Sequence, residues 1–381
     1  MKKTMLARLS LVALSTIAVV GCGNKTSAAS DGGKSDTYEV AVVTDVGSLK
    51  DGGFNEGTYD GAVEFANANN KSYKYYQPAN GSNATDNDRV EAMETAIKNG
   101  AKVIVAPGYL QATAMTTVAK ENPEVKFIFV DGWALSDDAG NVLNNVTAIT
   151  YKEQESGYFA GYASVMEGYT KLGATLGGGG SNPACNRYGY GYIQGANDAA
   201  KAKGINVEAK VSYKYGSSFS ASTELVTQIS GWYESGTEIV FSCGGSMVQS
   251  VISAANSYEN AKIVGVDTDQ HGLSNKVITS AQKGLAVSVK KVLDQFYNKN
   301  EWDSLLGGKA QNLGATDDAT GLPTSDDAWR FTTFTKDEYN TLLNDVKNGT
   351  LTPSGDVADD CNVDSFWAKD TFTNITVTLD K

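Results

Sequence analysis

The earliest residues in the chain with chemistry to offer are Asp45, Phe54 and Asn55, gathered around Gly47, Gly52 and Gly53. An aromatic face flanked by polar acceptors suits a flat, uncharged, polar ligand. Phosphate fits poorly, because the loop lacks a Gly-rich cradle for it and Asp45 would repel it. A plainer reading stays open here, with Phe54 capping the core and Asp45 solvating a loop. Asp131, in Asp131-Gly132-Trp133, and Asp267, in Gly265-Val266-Asp267-Thr268-Asp269-Gln270, are further carboxylates in glycine-flanked settings. Gly244-Gly245-Ser246 is a turn that lets backbone N–H groups approach a ligand at a helix start. The single histidine, His271, and cysteines without metal-ligand spacing argue against a zinc site or a His-based triad. Gly189, Gly191 and Gly195 nearly spell a dinucleotide fingerprint, with Glu208 downstream, but the spacing is wrong by one residue.

Positioning these residues falls to alternating strands and helices. The β-branched run from Tyr38 to Thr44 reads as a buried strand, and Tyr59, Ala62, Val63 and Ala66 recur after it at helical spacing. Ser72–Tyr76, Val103–Ala106, Lys126–Val130 and Val146–Thr150 read as further strands, interleaved with helices near 88–99 and 111–121. The alternation resumes with strands at 171–176, 207–214, 238–243 and 262–266. This pattern predicts a parallel, doubly wound α/β sheet. In such sheets ligands bind beyond the carboxyl ends of the strands. Asp45, the Gly108 loop and Asp131 all fall at such ends, on one rim. The closing segment 372–379 alternates Thr with apolar residues, as an edge strand would.

The N-terminus sets the address. Lys2, Lys3 and Arg8 precede an apolar run from Leu9 to Val20, which is a secretory signal and too short for a mature membrane span. A polar, Gly- and Ser-rich tether follows over residues 23–37. No later stretch is apolar enough to cross a bilayer. The net charge of −12 argues against nucleic acid and anionic membrane as partners, though not against a neutral small molecule. Outside the cytoplasm Cys185 and Cys361 are expected to pair, leaving Cys243 buried in an apolar run, although three single pairings are open to the three thiols.

Several segments together resemble the basic membrane protein family, purine-nucleoside-binding lipoproteins of bacterial ABC importers. They are VVTDVGSLKDGGFNEGTYDGA near the start, YKEQESGYFAGYAS from Tyr151, Arg187-Tyr188-Gly189-Tyr190-Gly191, GVDTDQ, and Val277 to Lys283. The resemblance runs over about residues 38–294 and departs from the family pattern at Cys185 and Asn186. It implies a type I periplasmic-binding-protein fold, two doubly wound lobes with a ligand cleft between them. The first lobe would take residues 38–148 and about 277–305. The second would take 149–276 and about 306–381. The resemblance also implies that Phe54 stacks on a nucleobase while Asp45, Asn55 and Asp131 read its polar edge. Phe219 would form the opposite wall, and Gly244, Gly245, Asp267 and Lys283 would hold the ribose. An Asp–Lys pair suits a vicinal diol, one accepting and the other donating hydrogen bonds. Val19-Val20-Gly21-Cys22 resembles a lipobox, which implies cleavage before Cys22 and a diacylated thiol there.

The resulting expectation is a monomeric, lipid-anchored binding protein on the outer face of the cell membrane. It would need no cofactor or metal, and it would pass nucleosides to an ABC permease. A binding lipoprotein for a sugar or signalling molecule is the alternative, and a hydrolase using paired carboxylates such as Asp267 and Asp269 is a third reading. Cys22→Ala should remove the lipid from the N-terminus. Acyl mass retained on the N-terminal peptide of that variant would contradict the lipobox assignment.

Overall fold

A computed structural model of the chain describes residues 37–46 and 48–381. The signal, most of the tether and Cys22 lie outside the described residues. The first lobe begins with β1 (Val40–Val43), α1 (Phe54–Ala68), β2 (Tyr73–Tyr76), α2 (Asp86–Lys98), β3 (Val103–Pro107), α3 (Ala112–Glu121), β4 (Lys126–Val130) and β5 (Val146–Tyr151). The second is built from α4 (Glu153–Glu167), β6 (Lys171–Leu176), α5 (Pro183–Lys203), β7 (Val207–Ser212), α6 (Thr223–Glu234), β8 (Ile239–Cys243), α7 (Met247–Ala255), β9 (Lys262–Asp267) and β10 (Val277–Lys283). The chain then returns to the first lobe for α8 (Leu285–Tyr297) and β11 (Ala310–Leu313). It ends in the second with β12 (Thr320–Gly321), α9 (Lys336–Lys347), α10 (Asp364–Trp367) and β13 (Ile375–Leu379).

The first sheet has the order β11-β5-β4-β3-β1-β2 and the second β12-β10-β9-β8-β6-β7-β13. Every pairing is parallel except that of β12 with β10. Parallel strands covered on both faces need apolar residues throughout, and β1, β3 and β8 are buried along their whole length. Local signals fix the helix ends. Thr85 and Asp88 form a reciprocal capping box at the start of α2, and Asn182 caps α5, where Pro183 follows as the first helical residue.

Three segments cross between the lobes: β5 into α4, β10 into α8, and β11 into β12. The first turn of α4 ties them together. Glu155 Oε2 accepts from the Ala315 backbone N–H and the Thr320 hydroxyl, both at 2.7 Å. The Ser156 hydroxyl donates to the Gln282 carbonyl at 2.6 Å and accepts from the Gly321 N–H at 2.9 Å. Behind this knot α4 and α5 pack backbone to backbone. A Cβ at Gly161 would meet the Tyr192 carbonyl oxygen at 1.9 Å, and one at Gly195 the Tyr158 carbonyl oxygen at 2.0 Å. Of the glycines that mimic a dinucleotide fingerprint, Gly191 and Gly195 therefore serve helix packing, while Gly189 makes room for the Leu176 side chain of β6.

Two expectations change. The segment Val277–Lys283 pairs with β9 in the second sheet, so the first lobe regains the chain at α8 and keeps it through β11. Helix α8 belongs with α1, where a Cβ on Gly61 would lie 2.6 Å from the Ala286 Cα. The Cys185–Cys361 disulfide is absent, and Cys185, Cys243 and Cys361 are all free and buried. Cys185 lies in the first turn of α5, not in a polar loop, and its Sγ faces the Cys243 carbonyl at 3.8 Å. Cys361 points instead towards the Ala358 carbonyl, at 3.5 Å. Labelling denatured, unreduced protein with a thiol reagent should therefore mark all three cysteines. Protection of any pair would restore a disulfide.

Candidate functional site

The carboxyl ends of both sheets face a cleft of about 700 Å³, counting its open mouth. From the first lobe Asp45, Phe54, Asn55 and Asp131 line it; from the second come Phe219, Gly244, Gly245, Asp267 and Lys283. The fold thus brings together all nine residues singled out in the sequence as ligand contacts. Among the described residues no cluster of His, Cys, Asp or Glu could hold a metal ion.

The loop before α1 is set by Asp51, whose importance the sequence did not reveal. Its buried carboxylate accepts from the N–H groups of Gly53 at 2.8 Å, Asn55 at 3.0 Å and Glu56 at 3.2 Å. These are the orphan donors of a helix start, satisfied here by a carboxylate two residues upstream of the formal cap. Asn55 is thereby fixed in the cleft wall. Its Nδ2 donates to the carbonyls of Val46 at 3.0 Å and Ser48 at 3.3 Å, while its Oδ1 is buried without a partner. Asp45 lines the cleft, but its Oδ1 is committed to Arg89, with Nε at 2.9 Å and Nη2 at 2.8 Å. Burial raises the Asp45 carboxyl above its ordinary range, against the pull of Arg89. Arg89 shares the buried face of α2 with Ala92, Met93 and Ala96. A charge on an apolar stripe was the available signal for that pair.

Lys283, the last residue of β10, is the centre of the site. Its Nζ lies 2.7 Å from Asp131 Oδ2, 3.3 Å from Glu153 Oε1 and 3.8 Å from Asp267 Oδ1. The rings of Phe54, Tyr151 and Tyr188 surround it, with centroids at 5.1, 5.2 and 5.5 Å. Burial alone would lower the lysine's pKa, but the three carboxylates outweigh it and hold the ammonium charged. One ammonium cannot satisfy three acids. Burial accordingly pushes Asp131 and Asp267 up to about 6 each, with Lys283 opposing. Glu153 has a second cation, Arg187, whose Nε donates to Oε2 at 2.6 Å. Both lie in segments that carry the family resemblance, where nothing in the sequence marked them as a charge pair.

Asp131, just after β4, and Asp267, at the end of β9, have φ of 58° and 64°, and Phe219 has φ of 56°. Such left-handed backbone is uncommon in residues other than glycine, Asn and Asp, and it concentrates at ligand sites. Asp131 also keeps Oδ1 buried without a partner, while Asp267 accepts from the Tyr188 hydroxyl at 3.2 Å. In the second lobe's wall the Phe219 ring lies against glycines. A Cβ at Gly177 would meet it at 2.5 Å and one at Gly244 at 3.1 Å. Beneath it Cys185 and Cys243 line the floor, and burial raises the Cys243 thiol far above its ordinary value.

The family model for PnrA-like ABC transporter substrate-binding proteins (Bmp) matches residues 38–348. The ABC transporter nucleoside-binding protein BmpA of Lactococcus lactis subsp. cremoris is 29% identical over 77% of this chain and 85% of its own. The CD4+ T-cell-stimulating antigen of Listeria innocua is 25% identical over 84% of this chain and 90% of its own. In fold, the chain is similar to an ABC transporter solute-binding protein from Aeropyrum pernix, with a TM-score of 0.64 and 20% identity over 84% of this chain and 88% of that one.

The raised acids give a pH signature. A carboxyl with a raised folded pKa binds its proton more tightly folded than unfolded, so its favourable contribution is full at low pH. That contribution declines as pH rises from its ordinary 3.8 to about 6. Urea unfolding of wild type and Asp267→Asn should therefore diverge in this window, with wild type losing stability relative to the variant. A constant difference between the two across it would contradict the assignment.

Proposed function

Because the chain belongs to the Bmp family of PnrA-like ABC transporter substrate-binding proteins, we propose that it captures a nucleoside between its lobes and delivers it to an ABC permease. The chain is a substrate-binding protein and not an enzyme. The observation that carries the nucleoside reading is the pair of buried acceptors without partners, Asn55 Oδ1 and Asp131 Oδ1, in a cleft with an aromatic ring from each lobe. Unpaired buried acceptors are costly, and a ligand edge that brings N–H donors removes the cost. Amino and ring N–H groups of a base supply such an edge, and Phe54 and Phe219 supply faces for stacking.

Charge narrows the ligand further. Asp45, Asp51, Asp131, Glu153 and Asp267 stand in or beside the cleft, facing Arg89, Arg187 and Lys283. That surplus of acid favours a nucleoside over its phosphorylated form. Asp267 and Lys283 then take the ribose hydroxyls, one accepting and the other donating. Closure of the lobes about the three crossovers sequesters the ligand, and the closed form docks on the permease. A lipid on Cys22 holds the protein at the outer face of the membrane, in keeping with the absence, among the described residues, of a helix long and apolar enough to cross it.

Mass spectrometry of small molecules released from freshly purified, denatured protein should detect a nucleoside. In calorimetric titration of the stripped domain, Phe54→Ala should weaken binding roughly ten- to a hundredfold, since base stacking is worth about 1–3 kcal/mol. A domain that is folded yet binds neither purine nor pyrimidine nucleosides would remove the proposed substrate. Binding indifferent to Phe54→Ala would move the base elsewhere in the cleft.

A further inference from the structure

The segment after α9 lies beyond the residues that the family model matches, and it packs behind the ligand cleft. Residues Gly178, Gly179 and Gly180 follow one another with φ of 71°, 64° and 101°. Three successive left-handed glycines carry the largest conformational entropy the backbone offers, so contacts from outside must order them. Two donors converge on the Gly180 carbonyl. One is the Cys361 backbone N–H at 2.9 Å, and the other is Asn186 Nδ2 at 2.7 Å. Helix α5 and the C-terminal segment therefore meet on one oxygen.

The segment is itself firmly held. Gln194 Nε2 donates to the Ser354 carbonyl at 2.8 Å, and its Oε1 accepts from the Ser354 N–H at 3.0 Å. Trp367 Nε1 donates to the Cys361 carbonyl at 2.9 Å, with Cys361 and Trp367 both buried. Between these anchors Asp360 Oδ1 accepts from the Asn362 N–H at 2.8 Å, closing the turn that aims the Cys361 N–H. The contact with Gly180 is flush, since a Cβ there would lie 2.7 Å from Asp360 Oδ1 and from the Asn362 Cβ. On its other side the glycine loop seats Phe219, whose ring a Cβ at Gly178 would approach at 3.3 Å.

We propose that the C-terminal segment 353–367 is a positioning element of the cleft, acting through the Gly180 carbonyl to fix the glycine loop on which Phe219 rests. It touches no ligand. Its influence on affinity passes through the aromatic wall of the second lobe, and this part of the proposal rests on the nucleoside reading.

Asp360→Ala tests it at an exposed position, with adenosine as the probe. The variant should unfold at the same urea midpoint as wild type and bind adenosine about three- to tenfold more weakly, the scale of one net hydrogen bond. In a Phe219→Ala background the same substitution should cost nothing further, because the wall it positions is already gone. Amide exchange in a peptide covering residues 177–181 should quicken in Asp360→Ala whether or not ligand is present. Equal losses of affinity with and without Phe219 would overturn the proposal, as would unchanged exchange in the glycine loop. If wild type binds neither adenosine nor any other purine or pyrimidine nucleoside, the nucleoside reading fails at that step, and the exchange measurement alone decides whether the segment braces the loop.

Discussion

One buried ammonium governs the molecule. Lys283 ends β10 at the point where the chain leaves the second lobe, and Glu153 begins α4 where the chain enters it. Their contact joins two of the three crossovers, while the 2.7 Å bond to Asp131 joins the second lobe to the end of β4 in the first. A charge taken this far out of water persists only with partners, and removing one partner leaves the others exposed to the full desolvation cost. The position of Lys283 is therefore set from both lobes at once. Any ligand that engages Asp131 or Asp267 also alters the forces on the residue that spans the hinge.

The surrounding polar groups divide into those that are satisfied and those that are not. Asp51 is spent on the start of α1, Asp45 on Arg89, and Glu155 on the third crossover. These acids give the cleft its shape. Asn55 and Asp131 each retain a buried acceptor with no partner, available to whatever enters the cleft. Rigid, satisfied groups hold unsatisfied ones in place, which lowers the entropy lost when ligand binds.

Much of this architecture was legible in the sequence. The alternation of β-branched runs and amphipathic stretches marks the parallel strands, and the recurrence of Asp45, Gly108 and Asp131 at strand ends marks one rim. The partners of those residues were harder to see. Arg89, Glu153 and Tyr188 are distant in sequence from what they touch, and no local pattern announces those partners. Lobe membership of Val277–Lys283 also escaped the reading, because a strand's sheet is chosen by its pairing with β9 and not by its own composition. The cysteines misled in a simpler way. Cys185 sits among Gly, Pro and Asn in sequence, the usual vocabulary of a loop, yet Asn182 and Pro183 are the cap and first residue of α5.

The glycine contacts between α4 and α5 bear on how the second lobe moves. Helices that touch through their backbones cannot slide without collision, so the pair behaves as a single beam. One end of that beam carries Glu153 at a crossover, and alongside it lie Cys185 and Tyr188 in the cleft wall. Any rotation of the second lobe about the crossovers would therefore carry the cleft wall without play, as a lever transmits motion, and a bulkier residue at Gly161 or Gly195 would pry the beam apart and introduce backlash far from the cleft.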